Sequence, residues 1–200
     1  MKSKTRIKST GEVFTPPALV DKMVDELYEI KPFSLCKKEL FIDPTCGDGE
    51  FLRGIVRKLK QAESKFNKRS WKRVIRHQLF GVDLMWDNVC DTVYYLLRSF
   101  EGNESDLCLV LSGFRDCEIA NSEEDMERSP EEINANFTQV RNYKDSLGVV
   151  EVRRKKNSQH LIEYRLNKKG RWVTVENIVR ANSLTEWDFE NWCCKCCKSE

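Results

Sequence analysis

Residues 41–52, FIDPTCGDGEFL, constrain the fold more tightly than any other part of this sequence. Apolar Phe41 and Ile42 run into Asp43 and Pro44, two glycines bracket an acidic residue, and an apolar pattern resumes at Phe51 and Leu52. A strand, a tight turn of residues that tolerate close approach, and a helix account for that order. Such a unit aims the N–H groups of a helix N-terminus at the end of a strand, where α/β folds hold nucleotide-sized ligands. Alone the loop is a weak signal. A third glycine at dinucleotide spacing is missing, and glycines after a strand also serve as plain turn residues.

The neighbouring segments supply the frame. In GEVFTPPALVDKMVDELYEI, Thr15 reads as an N-cap ahead of two prolines that a first helical turn tolerates. Leu19, Val20, Met23, Val24, Leu27 and Tyr28 then recur at helical spacing. Leu40 to Asp43 reads as a short buried strand, and Phe51, Leu52, Ile55, Val56 and Leu59 mark the next helix. Residues 79–84 read as a second buried strand, followed by a helix with Val89, Val93, Leu96, Leu97 and Phe100 on one face. Strands alternating with helices predict an α/β fold around a parallel sheet, because the crossovers need the helices.

Beyond residue 100 the pattern changes. Residues 101–148, including NSEEDMERSPEE, read as an irregular acidic surface insertion. Residues 149–176 predict short strands joined by Lys-Asn-Ser and Lys-Lys-Gly turns, a basic β-hairpin region. Residues 177–182 read as a third strand of the main sheet, and the chain continues into a Cys-rich tail. No internal repeat is visible.

Composition narrows the classes. Two hundred residues with 40% apolar content support one core with embellishments, and a formal net charge of +2 selects no partner by itself. The N-terminal sequence lacks the apolar middle of a signal peptide, and no long apolar run occurs, so no membrane association is expected. Among nine cysteines, Cys36, Cys46, Cys90, Cys108 and Cys117 are scattered like small core residues. Cys193, Cys194, Cys196 and Cys197 are crowded too closely to wrap one tetrahedral ion, and His77 and His160 stand alone, so no metal site is expected.

Taken together, GEVFTPP, DPTCGDGEF (Asp43 to Phe51), GVDLMWDNV and NIVRANSL resemble the ordered elements of the S-adenosylmethionine-dependent methyltransferases that modify adenine N6 in DNA, the restriction-modification enzymes and their phage relatives. The resemblance covers roughly residues 10–100 and 175–190. It implies a Rossmann-like methyltransferase sandwich, truncated or with an inserted β-hairpin region, in which residues 1–100 form the N-terminal helix and the cofactor-binding half. It implies that Phe14 and Thr15 border the methionine end of S-adenosylmethionine, with Asp43, Cys46, Gly47 and Gly49 around its amino-acid part. Asp83 would hold the ribose, Leu84 or Met85 would flank the adenine, and Asn182 would meet the adenine's edge, where the family more often has aspartate. Two plainer readings stand beside these roles: Asp83 caps the following helix, and Asn182 is a loop residue. The family implies DNA as a partner and the cytoplasm of a bacterial or phage-infected cell.

One element of that family is missing. Its tetrapeptide [DNS]-P-P-[YFW], which exposes the amine lone pair and stacks on the flipped base, has no counterpart; the single Pro-Pro pair, in TPPA, is followed by alanine. Catalytic residues are therefore unassigned, and the sequence ends soon after the third element, so methyl transfer is expected to need a partner chain or a catalytic group supplied from an unfamiliar place. The alternative is a non-catalytic module that binds cofactor or nucleic acid. Arg153, Arg154, Lys155, Lys156, Arg165, Lys168, Lys169 and Arg171, with Tyr164 and Trp172 among them, suit phosphate contact and base stacking. A solvated hairpin whose charges prevent edge pairing explains the same residues equally well. The N-terminal cations Lys2, Lys4, Arg6 and Lys8 add weight to nucleic acid.

Overall fold

The computed structural model describes residues 14–33, 39–62, 74, 78–101, 140–145 and 148–187. The N-terminal basic segment, most of the acidic stretch, His77, Cys36, Cys108, Cys117 and the Cys-rich tail lie outside the described residues. The protein is a mixed α/β structure with two sheets.

Helix α1 (Pro17–Ile30) leads into strand β1 (Phe41–Asp43), helix α2 (Glu50–Ala62), strand β2 (Leu79–Asp83) and helix α3 (Trp86–Glu101). Strands β3 (Arg141–Asp145), β4 (Gly148–Arg154), β5 (Ile162–Leu166) and β6 (Val173–Val175) follow, and β7 (Ile178–Arg180) closes the order. β2 lies between β1 and β7, parallel to both, with Phe41 opposite Leu79 and Val82 opposite Val179. The expected third strand is thus present beside β2. Two right-handed crossovers stepping the same way along a sheet place their helices on one face. Leu79 and Ile178 accordingly share a core with Leu52, Ile55, Val56, Leu59 and Val89 of α2 and α3. Phe80, Val82, Val179 and Ala181 form the opposite face, against which Leu161 and Trp187 pack.

α1 starts differently from the sequence expectation. Pro16, extended at φ −58° and ψ 138°, precedes the first turn, and no side chain caps it, so Thr15 is not the cap. Pro17 occupies the first helical position, whose N–H has no intrahelical acceptor in any case. Val20 and Val24 are buried against α2, so closely that a Cβ on Gly54 would come within 2.7 Å of Val20 Cγ1. Leu19, Met23, Leu27 and Ile30 of the same apolar pattern are exposed. β1 is also less buried than its sequence suggests, with Leu40 and Ile42 exposed. Edge contacts from Tyr28 to Phe33 and from Phe33 to Phe41, at 5.1 and 4.9 Å, seat the end of α1 on the strand.

The second sheet, β3 to β6 in sequence order, is antiparallel throughout. Its strand β3 lies within the stretch expected to be irregular. RNYKD carries no apolar alternation, and its order comes from polar partners on α3 instead. Tyr143 stacks on Tyr94 at 4.2 Å and donates its hydroxyl to Asp91 at 2.6 Å. Asp145 takes the hydroxyl of Tyr94 at 2.7 Å and pairs with Arg98 at 2.6 Å. Arg141 lies 3.5 Å from Asp91. α3 is consequently buried around its circumference rather than on one face, between the parallel sheet and α2 on one side and the second sheet on the other.

Candidate functional site

The turn between β1 and α2 adopts the conformation its glycines suggest. Gly47 has φ +53° and Gly49 φ +84°, and the Gly49 N–H donates to Cys46 O at 2.7 Å. Gly49 O then accepts the first bond of α2, from Arg53 N at 2.9 Å. A Cβ on Gly49 would lie 2.7 Å from Thr92 Cγ2, so α3 leaves no room for a side chain there. Phe14 packs over Gly47, with its ring 3.2 Å from the place a Cβ would take.

Asp83, at the carboxyl end of β2, faces this turn. Its Oδ2 accepts the Gly47 N–H at 3.0 Å, and its Oδ1 accepts Met85 N at 2.8 Å and Asn88 Nδ2 at 3.0 Å. The aspartate therefore orients the start of α3, as the helix-cap reading has it, and it also reaches the glycine loop. Thr92 donates its hydroxyl to Gly47 O at 2.9 Å. Asn88 and Thr92 were not singled out from sequence. Their signal is two poor helix formers spaced one turn apart, on the same side of the helix.

The local electrostatics are acidic. Burial foremost, and then the carboxylates of Asp83, Asp43 and Asp48, push the Cys46 thiol well above its ordinary range. Cys46 therefore stays protonated and is a packing residue, in contact with Thr92 at 3.8 Å, rather than a nucleophile. Burial also raises Asp43, although the Thr45 N–H on its Oδ1 at 3.1 Å opposes the effect. On the first turn of α2, Glu50 binds Arg53 and, at 2.8 Å, Arg57, which reaches Asp21 of α1 at 2.6 Å. This ion-pair chain fixes α1 against the loop-bearing helix.

Phe14, Cys46, Gly47, Gly49 and Asp83 are thus brought together at the carboxyl edge of the parallel sheet. Thr15 follows Phe14 and precedes Pro16, and its side chain does not cap α1. Asp43, whose carboxylate acts on Cys46, also lines a cleft at the open side of β1, with Leu27, Phe33, Leu40, Ile42 and Phe51. Leu84 is exposed beyond β2. Asn182 follows β7 at the same edge, where Ala181 N donates to Asp83 O at 3.0 Å. Its side-chain oxygen accepts Leu184 N at 3.0 Å, so it is occupied within its own turn.

The basic residues of 149–176 do not form one patch. β5 is five residues long, about 17 Å, and it separates Lys155 and Lys156 in one turn from Lys168, Lys169 and Arg171 in the other. Arg153 pairs with Glu163 at 2.6 Å, Arg165 binds Glu151, and both guanidinium groups lie over the Trp172 ring, at 3.8 and 4.7 Å. Arg154 donates to Ser158 O at 2.6 Å and lies over Trp86. The turn holding Lys155 and Lys156 is tied to the end of β7, since Arg180 N donates to His160 O at 2.9 Å. That turn therefore reaches the carboxyl end of β7 through His160.

Among the described residues, no cluster of His, Cys, Asp or Glu could hold a metal ion, and no helix is long and apolar enough to cross a membrane. Comparison of the chain with protein-family models, with curated proteins and with solved structures finds no match.

Proposed function

We propose that this chain binds S-adenosylmethionine at the Asp43–Gly49 turn and is the cofactor half of a methyltransferase acting on adenine N6 in DNA. The observation that carries the reading is the Gly47 N–H to Asp83 bond at 3.0 Å, which joins a glycine turn after the first parallel strand to a carboxylate at the end of the second. The strand order agrees with it: first, second and third parallel strands stand side by side with the second in the middle, as in one half of a doubly wound sheet. Ligands of such sheets sit outside the carboxyl ends of the strands.

In this reading Asp83 exchanges the Gly47 N–H for a ribose hydroxyl, Phe14 shifts off Gly47 to cover the methionine end, and the acidic surroundings favour the positively charged sulfonium. Lys155 and Lys156 would hold DNA phosphate near the same edge. Among the described residues none is assigned to activate an adenine amine, and that step falls to residues of a partner.

A second reading, a binding module without transfer, is favoured by a specific observation: the sequence has no counterpart of the [DNS]-P-P-[YFW] tetrapeptide that would expose the amine, its single Pro-Pro pair being followed by alanine. Thermal denaturation with S-adenosylmethionine tests the shared claim. At a hundred times its dissociation constant the cofactor should stabilise the fold by about 2.7 kcal/mol. Absence of a shift, or an equal shift for Asp83→Ala, refutes the cradle. Tritiated methyl transfer to adenine-containing DNA then separates the two readings.

A further inference from the structure

Arg53 is a buried cation with unused donors. It projects from the first turn of α2 and is 3% exposed, yet its Nε and Nη1 have no acceptor. Only Nη2 is engaged, on Glu50, and Glu50 is shared with Arg57. Tyr95 of α3 lies against the guanidinium, with Cζ 4.5 Å from the ring centroid. That contact covers a face of the cation and leaves its N–H edges unspent. Buried donors without an acceptor are rare in folded proteins, and the planar N–H groups of a guanidinium match a carboxylate better than any other partner.

The guanidinium is turned back toward the glycine loop. Nη2 lies 3.7 Å from Asp48 Oδ2, too far for a hydrogen bond. Asp48 stands between the two glycines, its side chain is 15% exposed, and it takes no hydrogen bond from a described residue. A cation and an anion therefore sit side by side at the start of one helix, each with bonding capacity left over. The helix start adds N–H groups without intrahelical acceptors and a partial positive charge, both of which favour a carboxylate.

The balance of charge says what sort of ligand fits. A lone anion would meet the repulsion of Asp48 and Glu50, and a lone cation that of Arg53 and Arg57. A group that carries both charges on substituents of one carbon atom meets an opposite charge at each end.

We infer that Arg53 and Asp48 hold a zwitterionic α-amino-acid group, the carboxylate on the unused N–H groups of Arg53 and the ammonium on the Asp48 carboxylate. This assignment rests on the S-adenosylmethionine reading above and deepens it, because the pair fixes the amino-acid end of the adenosyl ligand and discriminates against ligands without one.

The test compares three thioethers that share the adenosyl group, by isothermal titration calorimetry on the full chain. S-adenosylhomocysteine carries both charges, its decarboxylated analogue the ammonium alone, and 5′-methylthioadenosine neither. For the wild type, removing the carboxylate should weaken binding about thirtyfold and removing the ammonium about tenfold more, as for hydrogen bonds to charged groups. Arg53→Gln should shrink the first step to about threefold or less, and Asp48→Asn the second, while both variants bind 5′-methylthioadenosine as the wild type does. L-Methionine alone should bind at least about a hundredfold more weakly than S-adenosylhomocysteine; equal binding would make a free amino acid the ligand and overturn the assignment. Equal binding of the three thioethers by the wild type also overturns it, and so does a loss in Arg53→Gln that is the same for all three, which marks a merely structural arginine. In both cases 5′-methylthioadenosine still binds the wild type and the cradle stands. If none of the three binds, the cradle fails and this assignment with it. The wild-type series uses no substitution, so it decides even where Arg53→Gln does not fold.

Discussion

Gly49→Ala probes the contact on which the shape of the loop depends. Gly49 sits at φ +84°, and an alanine Cβ there would approach Thr92 Cγ2 to 2.7 Å, Oγ1 to 3.1 Å and Cβ to 3.2 Å. The backbone conformation costs an L-residue about 1–2 kcal/mol. Forcing a methyl group against buried Thr92 adds roughly 1–3 kcal/mol, because neither α2 nor the wrapped α3 can move aside cheaply. A loss near 3 kcal/mol corresponds to a fall in Tm of about 6–12 °C for a chain of this size. The two causes separate in a double-mutant cycle. Thr92→Ser deletes the obstructing methyl but keeps the hydroxyl that donates to Gly47 O; alone it should cost about 1 kcal/mol. Combined with Gly49→Ala it should cost less than the sum by about 1–2 kcal/mol, leaving the backbone part intact. Urea denaturation followed by circular dichroism, with equal m-values, measures all four corners. Additivity within about 0.5 kcal/mol would refute the steric argument.

Asp83→Asn leaves one acceptor oxygen where three donors converge, and should destabilise by about 2–3 kcal/mol in urea as well as abolish the cofactor response. Tyr143→Phe removes the hydroxyl from Asp91 and should cost about 1–2 kcal/mol while leaving the cofactor response unchanged. Burial raises the Cys46, Cys90 and Tyr143 side chains. The folded state therefore keeps protons that the unfolded chain releases, so stability is full below about pH 8.5 and falls as pH rises. Cys90→Ala should make that alkaline decline shallower by about 1.4 kcal/mol per pH unit in denaturation series. For DNA, Lys155→Ala with Lys156→Ala should reduce the slope of log affinity against log salt by about 2, whereas Lys168→Ala with Lys169→Ala should leave it unchanged.

The parallel sheet was legible because its elements obey simple periods: the β1 turn, the buried run of β2 and the apolar spacing of α2 each specify their structure locally. The meeting of Gly47 with Asp83 was foreshadowed only by placing both at strand ends. β3 was hidden, since RNYKD has the composition of a loop and gains order from Asp91, Tyr94 and Arg98 far away in sequence. Thr15 failed as a cap because Pro17 starts the helix after an extended Pro16. The exposed stripe of α1 could not be told from a core-facing one, as periodicity reports a side of a helix and not what covers it. The basic residues looked clustered because sequence proximity conceals the length of β5.

The enclosure of α3 has a consequence for how the molecule could be shortened. Excising the stretch between α3 and β7 would join the parallel unit neatly on paper, yet it would remove Arg141, Tyr143 and Asp145, which pair with or hydrogen-bond Asp87, Asp91, Tyr94 and Arg98. What reads in the linear chain as an ornament is the second wall of a single building, and α3 should be the last segment to surrender its amide protons to deuterium.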